Sequence, residues 1–170
     1  MRVYKSKIVA CGDSGAGKRT MIATRDAMSI PFQLLGIMPV IRVFSRGEDE
    51  FHFNAWIIDE RTVKNDAMKR MCFKGSTGVI IIVDASRGDR VDVARKWIGI
   101  YRSASVNDGP VILAGTKADA IPADQLDDVV KDLSDVAKES GIRFVQTSAV
   151  LGMNVDKPME WMIDQQCKRE

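Results

Sequence analysis

The chain has 170 residues, a formal net charge of +2, and 45% hydrophobic against 28% charged residues. That length predicts one domain spanning 1–170, and the composition excludes a disordered chain because enough apolar surface is present to bury a core. The near balance of charge argues against nucleic-acid binding, and no apolar run approaches the roughly 20 residues that cross a bilayer.

Taken in chain order, the polar Met1-Arg2-Val3-Tyr4-Lys5-Ser6-Lys7 start reads as the lead into a strand rather than a signal peptide. Ile8 to Cys11 is an apolar strand that stops at Gly12. A helical pattern follows from about Lys18 to Met28. Val40 to Phe44 and Phe51 to Ile58 read as two strands joined at a hairpin turn, Arg46-Gly47-Glu48-Asp49. Val79 to Val83 and Val111 to Ala114 are apolar on both faces, the mark of strands inside a parallel sheet. Helical patterns cover Val91 to Arg102 and Asp124 to Glu139. A last strand over Ile142 to Val145 precedes a closing helix over Asp156 to Lys168, with Met159, Met162 and Ile163 on one face. Cys11, Cys72 and Cys167 have no CxxC spacing, so neither a disulfide framework nor a zinc site is expected, and a reducing, cytoplasmic setting fits.

Alternating strands and helices predict an α/β fold: a six-stranded, mostly parallel sheet with helices on both faces. Ligands of such sheets bind at the carboxyl ends of the strands. After the first strand stands Gly12-Asp13-Ser14-Gly15-Ala16-Gly17-Lys18, a G-x-x-x-x-G-K phosphate loop. Its glycines let backbone N–H groups turn inward around a phosphate, the following helix presents its positive end, and Lys18 supplies a point charge. Arg19 and Thr20 complete the candidate phosphate-binding set. The position after Lys18 ordinarily carries a hydroxyl that ligates Mg²⁺. Here it is Arg19, which cannot, and Thr20 lies about 100° further round the helix.

The strand Val111 to Ala114 runs into Gly115-Thr116-Lys117-Ala118-Asp119, and the last strand into Thr147-Ser148-Ala149. With the phosphate loop, these motifs resemble those of the Ras-like small GTPases over about Lys5 to Cys167, the Rab branch most of all. The Gly-Asp-Ser-Gly-x-Gly-Lys opening and Trp56-Ile57-Ile58-Asp59 carry the Rab likeness. The resemblance implies a P-loop NTPase fold and GDP or GTP as ligand. It further implies that Asp119 reads guanine, Lys117 covers the base, Thr116 belongs to the same motif, and the Ser148-Ala149 pair recognises the guanine carbonyl.

The departures lie together. The first switch of the family carries a metal-binding threonine, and here no threonine stands between Thr24 and Thr62. The family position falls at Leu34 to Ile37. The second switch reads Asp59-Glu60-Arg61-Thr62-Val63. Asp59 survives as a candidate metal contact, while Thr62 replaces the γ-phosphate glycine and Val63 the water-orienting glutamine. The expectation is a guanine-nucleotide-binding protein with very slow or no GTP hydrolysis, weak or absent Mg²⁺ binding, no catalytic residue, and action through protein partners. Arg19 reads either as a substitute for the metal charge or as a solvated surface residue. The apolar stretch Ile30 to Ile41 either packs on the sheet or docks a partner through Leu34, Leu35, Ile37 and Met38, and Phe32 could edge the base. A nucleotide-free pseudo-GTPase serving as an interaction subunit, and a GTPase completed by a partner's catalytic groups, are the competing readings. The expected location is the cytoplasm, at the periphery of a membrane or assembly through a partner. Cys167 is followed by Lys168 and Arg169 rather than aliphatic residues, so it reads as a helix residue and not as a prenylation site.

Overall fold

A computed structural model describes residues 1–23, 28–29, 36–104 and 109–168. The described elements are β1 (Val3–Cys11), α1 (Lys18–Ile22), β2 (Met28–Ser29), β3 (Met38–Arg46), β4 (Asp49–Ile58), α2 (Glu60–Val63), α3 (Asp66–Phe73), β5 (Gly78–Asp84), α4 (Arg90–Ala104), β6 (Val111–Thr116), α5 (Leu126–Glu139), β7 (Arg143–Gln146) and α6 (Lys157–Cys167). One sheet takes the strands in the order β2-β3-β4-β1-β5-β6-β7. β4, β1, β5, β6 and β7 are mutually parallel, while β3 runs antiparallel to β4 and β2 to β3. The six expected strands are present, with the two-residue β2 added at one edge.

Alternation along each strand splits the core into two layers. Val9, Cys11, Ile81, Val83 and Leu113 face one side and meet Phe73, Trp97, Leu133 and Val136 from α3, α4 and α5. Ile8, Ala10, Ile80, Ile82 and Ile112 face the other and meet Met21 of α1 with Met159, Met162 and Ile163 of α6. β5 is buried along its whole length because both faces are covered. Burial pushes the Cys11 thiol up to about 12, so it packs as a hydrophobe rather than as a nucleophile.

Two expectations need correction. The helix after the loop ends at Ile22 instead of reaching Met28, because Met28 and Ser29 pair with Ile41 and Val40, and a backbone held in a sheet cannot also be helical. Ile37 is not a surface residue: it is 6% exposed and packs with Val9, Ile58 and Val83. The apolar stretch is therefore packed onto the sheet at this point, and Met38 is half-buried beside it. Thr24, Phe32, Leu34 and Leu35 lie outside the described residues. The hairpin stands as expected, with Arg46 paired to Asp49 across Gly47-Glu48. No described helix is long and apolar enough to cross a membrane.

Candidate functional site

The carboxyl ends of β4, β1, β6 and β7 carry the polar residues singled out above, and the sheet order fixes their sequence in space. The loop after β1 lies at the centre. A side-chain carbon at Gly12 would overlap the Ile82 carbonyl oxygen, so only glycine lets the loop leave the sheet against β5. Gly15 and Gly17 both have positive φ, which bends the loop back over the start of α1. Lys18 is buried and donates to the carbonyls of Gly12 (2.7 Å) and Asp13 (2.6 Å), so its ammonium is held inside the loop's curve. Burial pulls its pKa below the usual lysine value, opposed by the charges of Asp59 and Glu60. Ser14 and Gly15 are exposed, Ala16 is buried, and Arg19 and Thr20 project from α1 into solvent. The Arg19 guanidinium makes no ion pair among the described residues.

Asp13 anchors the loop to α4. Its Oδ1 accepts from Trp97 Nε1 (2.8 Å) and Lys96 Nζ (2.5 Å). Trp97 fills the core and uses its one polar atom to fix the loop, as buried indoles do.

On the β6–β7 side, the Thr116 hydroxyl donates to the Ala16 carbonyl at 2.6 Å, tying this motif to the loop a hundred residues earlier. Thr116 is buried, so it positions the loop and does not face the site. Lys117 has a left-handed backbone (φ 60), and its ammonium reaches Asp84 Oδ2 at 2.6 Å. Burial raises the Asp84 pKa, but Lys117 and Ser86 hydrogen bonds outweigh it and leave the carboxyl below its usual range. Asp119 is exposed, with Oδ1 accepting from the buried Ser148 hydroxyl at 2.5 Å. Ser148 also accepts from the Leu151 N–H, and Ala149 is exposed beside it. Asp13, Ser14, Gly15, Asp84 and Lys117 line a cavity of about 170 Å³.

The β4 side is organised differently. Asp59 is buried at the N-terminus of α2 and accepts from the Arg61 N–H (2.9 Å). The Arg61 guanidinium folds back on it, with Nη2 to Oδ2 at 2.6 Å and Nε to the same oxygen at 3.1 Å. Burial raises the Asp59 pKa, but the Arg61 contacts outweigh that and hold it below the usual carboxyl value. Glu60 turns toward the loop and accepts from the Ser14 N–H at 2.9 Å. Thr62 is fully buried, and Val63 packs on the core beside Ile58. Gly36 presses against this corner: a side-chain carbon there would stand 2.5 Å from Asp59 Oδ1 and 3.0 Å from the Thr62 hydroxyl. Lys18, Gly36, Ile37, Asp59 and Arg61 line a second cavity of about 310 Å³. No cluster of three or more potential metal-ligating side chains occurs among the described residues.

The structure brings Lys117 to the cavity of the loop and pairs Asp119 with Ser148, while sequence reasoning missed the contacts of Glu60, Arg61, Asp84, Lys96 and Trp97. The adjacent opposite charges in Asp59-Glu60-Arg61 were the available signal for the first two. Trp97 read only as a core residue, and nothing local tied Asp84 to Lys117.

A mostly parallel sheet with this loop after its first strand defines a P-loop domain of the Ras-like class. The model of the Ras family matches residues 62–168, and the chain belongs to that family. Among curated proteins it is similar to the Ras-related protein Rab11A of Lotus japonicus, 25% identical over 167 residues, covering 90% of this chain and 68% of that protein. It is likewise similar to RABA4a of Arabidopsis thaliana at 26% over 167 residues with the same coverages. Rab5A of Oryza sativa subsp. japonica is 23% identical over 158 residues, covering 91% of this chain and 76% of that protein. The family match begins at Thr62, within the corner after β4 that carries the departures at Thr62 and Val63.

Proposed function

We propose that the chain binds guanine nucleotide without depending on Mg²⁺, hydrolyses GTP very slowly or not at all, and acts through protein partners. The observation that carries this reading is the linked frame at the ends of β1, β6 and β7. Ser148 holds one oxygen of Asp119, and Thr116 ties that motif to Ala16 of the loop. An exposed carboxylate held by a buried hydroxyl is an oriented acceptor, suited to the paired N–H donors of a guanine edge. Phosphates would be held by the loop from Gly12 to Thr20, with Lys18 inside its curve.

The residues present do not fit a magnesium ion. The helix-start hydroxyl is replaced by Arg19, and the Asp59 carboxylate is taken up by Arg61. Arg19, exposed and without an ion pair among the described residues, is a cation available to phosphate oxygens. Phosphoryl transfer to water rests on positioning and electrostatics. Val63 is an apolar core contact where a water-orienting group would be needed, which supports slow or absent turnover. Of the residues proposed for partner docking, Ile37 is withdrawn by its burial, and Met38 remains half-buried at the edge.

A second reading, a nucleotide-free interaction subunit, is favoured by one observation: Lys18 is already satisfied by the Gly12 and Asp13 carbonyls. Denaturing purified protein and resolving the supernatant by ion-exchange HPLC separates the two. Stoichiometric GDP or GTP supports the first reading. An empty supernatant, with no binding of labelled GDP or GTP, supports the second. GTP hydrolysis appearing only with a partner added would instead support a GTPase completed in trans.

A further inference from the structure

The corner after β4 bears on which nucleotide the site takes. β6 and β7 carry the base-reading residues, the phosphate loop follows β1, and β4 is the neighbour of β1 on the far side. A nucleotide laid from β7 toward β1 therefore extends each further phosphate toward the end of β4. That position is bordered by charge from the chain itself, at the cavity lined by Lys18, Asp59 and Arg61. The Glu60 carboxylate accepts the loop's Ser14 N–H at 2.9 Å. Arg61 is locked on Asp59 through Nη2 and Nε at 2.6 and 3.1 Å.

We infer that Glu60 and Arg61 form a built-in plug over the terminal-phosphate position, so that the site takes a guanosine diphosphate and excludes the triphosphate. This inference rests on the guanine-nucleotide reading above. The Glu60 carboxylate acts as an intramolecular anion on a loop donor, and a charge-assisted bond of that kind must be broken before a third phosphate can enter. The incoming phosphate would then face the carboxylates of Asp59 and Glu60 with no metal between them, and like charges at short range repel. Arg61 cannot turn to the phosphate without abandoning the buried Asp59, which would be left as an uncompensated charge. Gly36 borders the corner from the third side, where a side-chain carbon would stand 2.5 Å from Asp59 Oδ1. A diphosphate ends with its last phosphate in the loop beside Lys18, one phosphate short of the end of β4.

The test is equilibrium titration of nucleotide-stripped full-length protein with GDP and with GTPγS, each in EDTA and in Mg²⁺. The expected result is GDP at least tenfold tighter than GTPγS in both buffers. Glu60→Ala, which leaves the Arg61–Asp59 pair intact, should retain GDP affinity and narrow the gap at least fivefold. Glu60→Gln, which keeps the side-chain size and loses the charge, should narrow it less; retained GDP binding shows that each variant is folded. Equal affinities in the wild type, or a gap unchanged in Glu60→Ala, would overturn the plug while leaving guanine-nucleotide binding intact. Failure of the wild type to bind either nucleotide overturns both readings together.

Discussion

The ends of β6–β7 and of β4 flank the same phosphate loop, yet their charged side chains are spent in opposite ways. On the β6–β7 side a buried hydroxyl orients Asp119 while the carboxylate stays exposed. On the β4 side Asp59 is buried and consumed by the residue two places along, and Glu60 is consumed by the loop. An acid at a motif position says little by itself. Whether it can meet a ligand depends on whether its neighbours orient it outward or neutralise it inward.

The largest expected effect strikes the scaffold common to both sides. Trp97→Ala removes a fully buried indole and the Nε1 donor to Asp13. It should cost about 3–5 kcal/mol of stability, read as a lowered urea midpoint, and loosen the loop for any ligand. Asp119→Asn attacks the outward-facing side alone. An acceptor lost against paired N–H donors costs about 1–3 kcal/mol, so GDP affinity measured by titration should fall roughly 5- to 150-fold. Equal affinity in the two proteins would erase the contrast between the sides.

Asp84→Asn tests the ion pair to Lys117, whose side chain is 42% exposed, so the loss should be about 1 kcal/mol or less. The folded pKa of Asp84 is depressed, so the stability it contributes is present above its unfolded value near 4 and is lost as pH falls through the folded value. Denaturant melts should therefore separate wild type from variant at pH 7 and converge in acid below pH ~4. The smallest effects are expected where the β4 side is altered one residue at a time. Single-turnover phosphate release should match a blank for wild type and for Val63→Gln, because groups that act as a unit cannot be restored singly. EDTA should leave the GDP off-rate nearly unchanged in the wild type, and Arg19→Ser should introduce a measurable Mg²⁺ dependence. A large acceleration by EDTA in the wild type would show a metal site among ligands other than those identified.

What the sequence determined by itself is whatever is encoded locally. Alternation and apolar runs placed five of the six strands within two residues of their observed limits, while β1 begins at Val3, five residues before the apolar run, because its part-exposed first half pairs with β4 without needing apolar side chains. The G-x-x-x-x-G-K, T-K-x-D and T-S-A motifs were legible because each sits directly at a strand end. The tertiary structure decided which charges meet. Trp97 to Asp13, Lys117 to Asp84 and Glu60 to Ser14 are separated by 84, 33 and 46 residues, and no local pattern specifies such pairs. It also decided that α1 stops at Ile22 and that Ile37 turns inward, since sheet pairing at Met28–Ser29 and burial against Val9 and Ile58 outweigh the weak preferences of a short helix and an apolar loop.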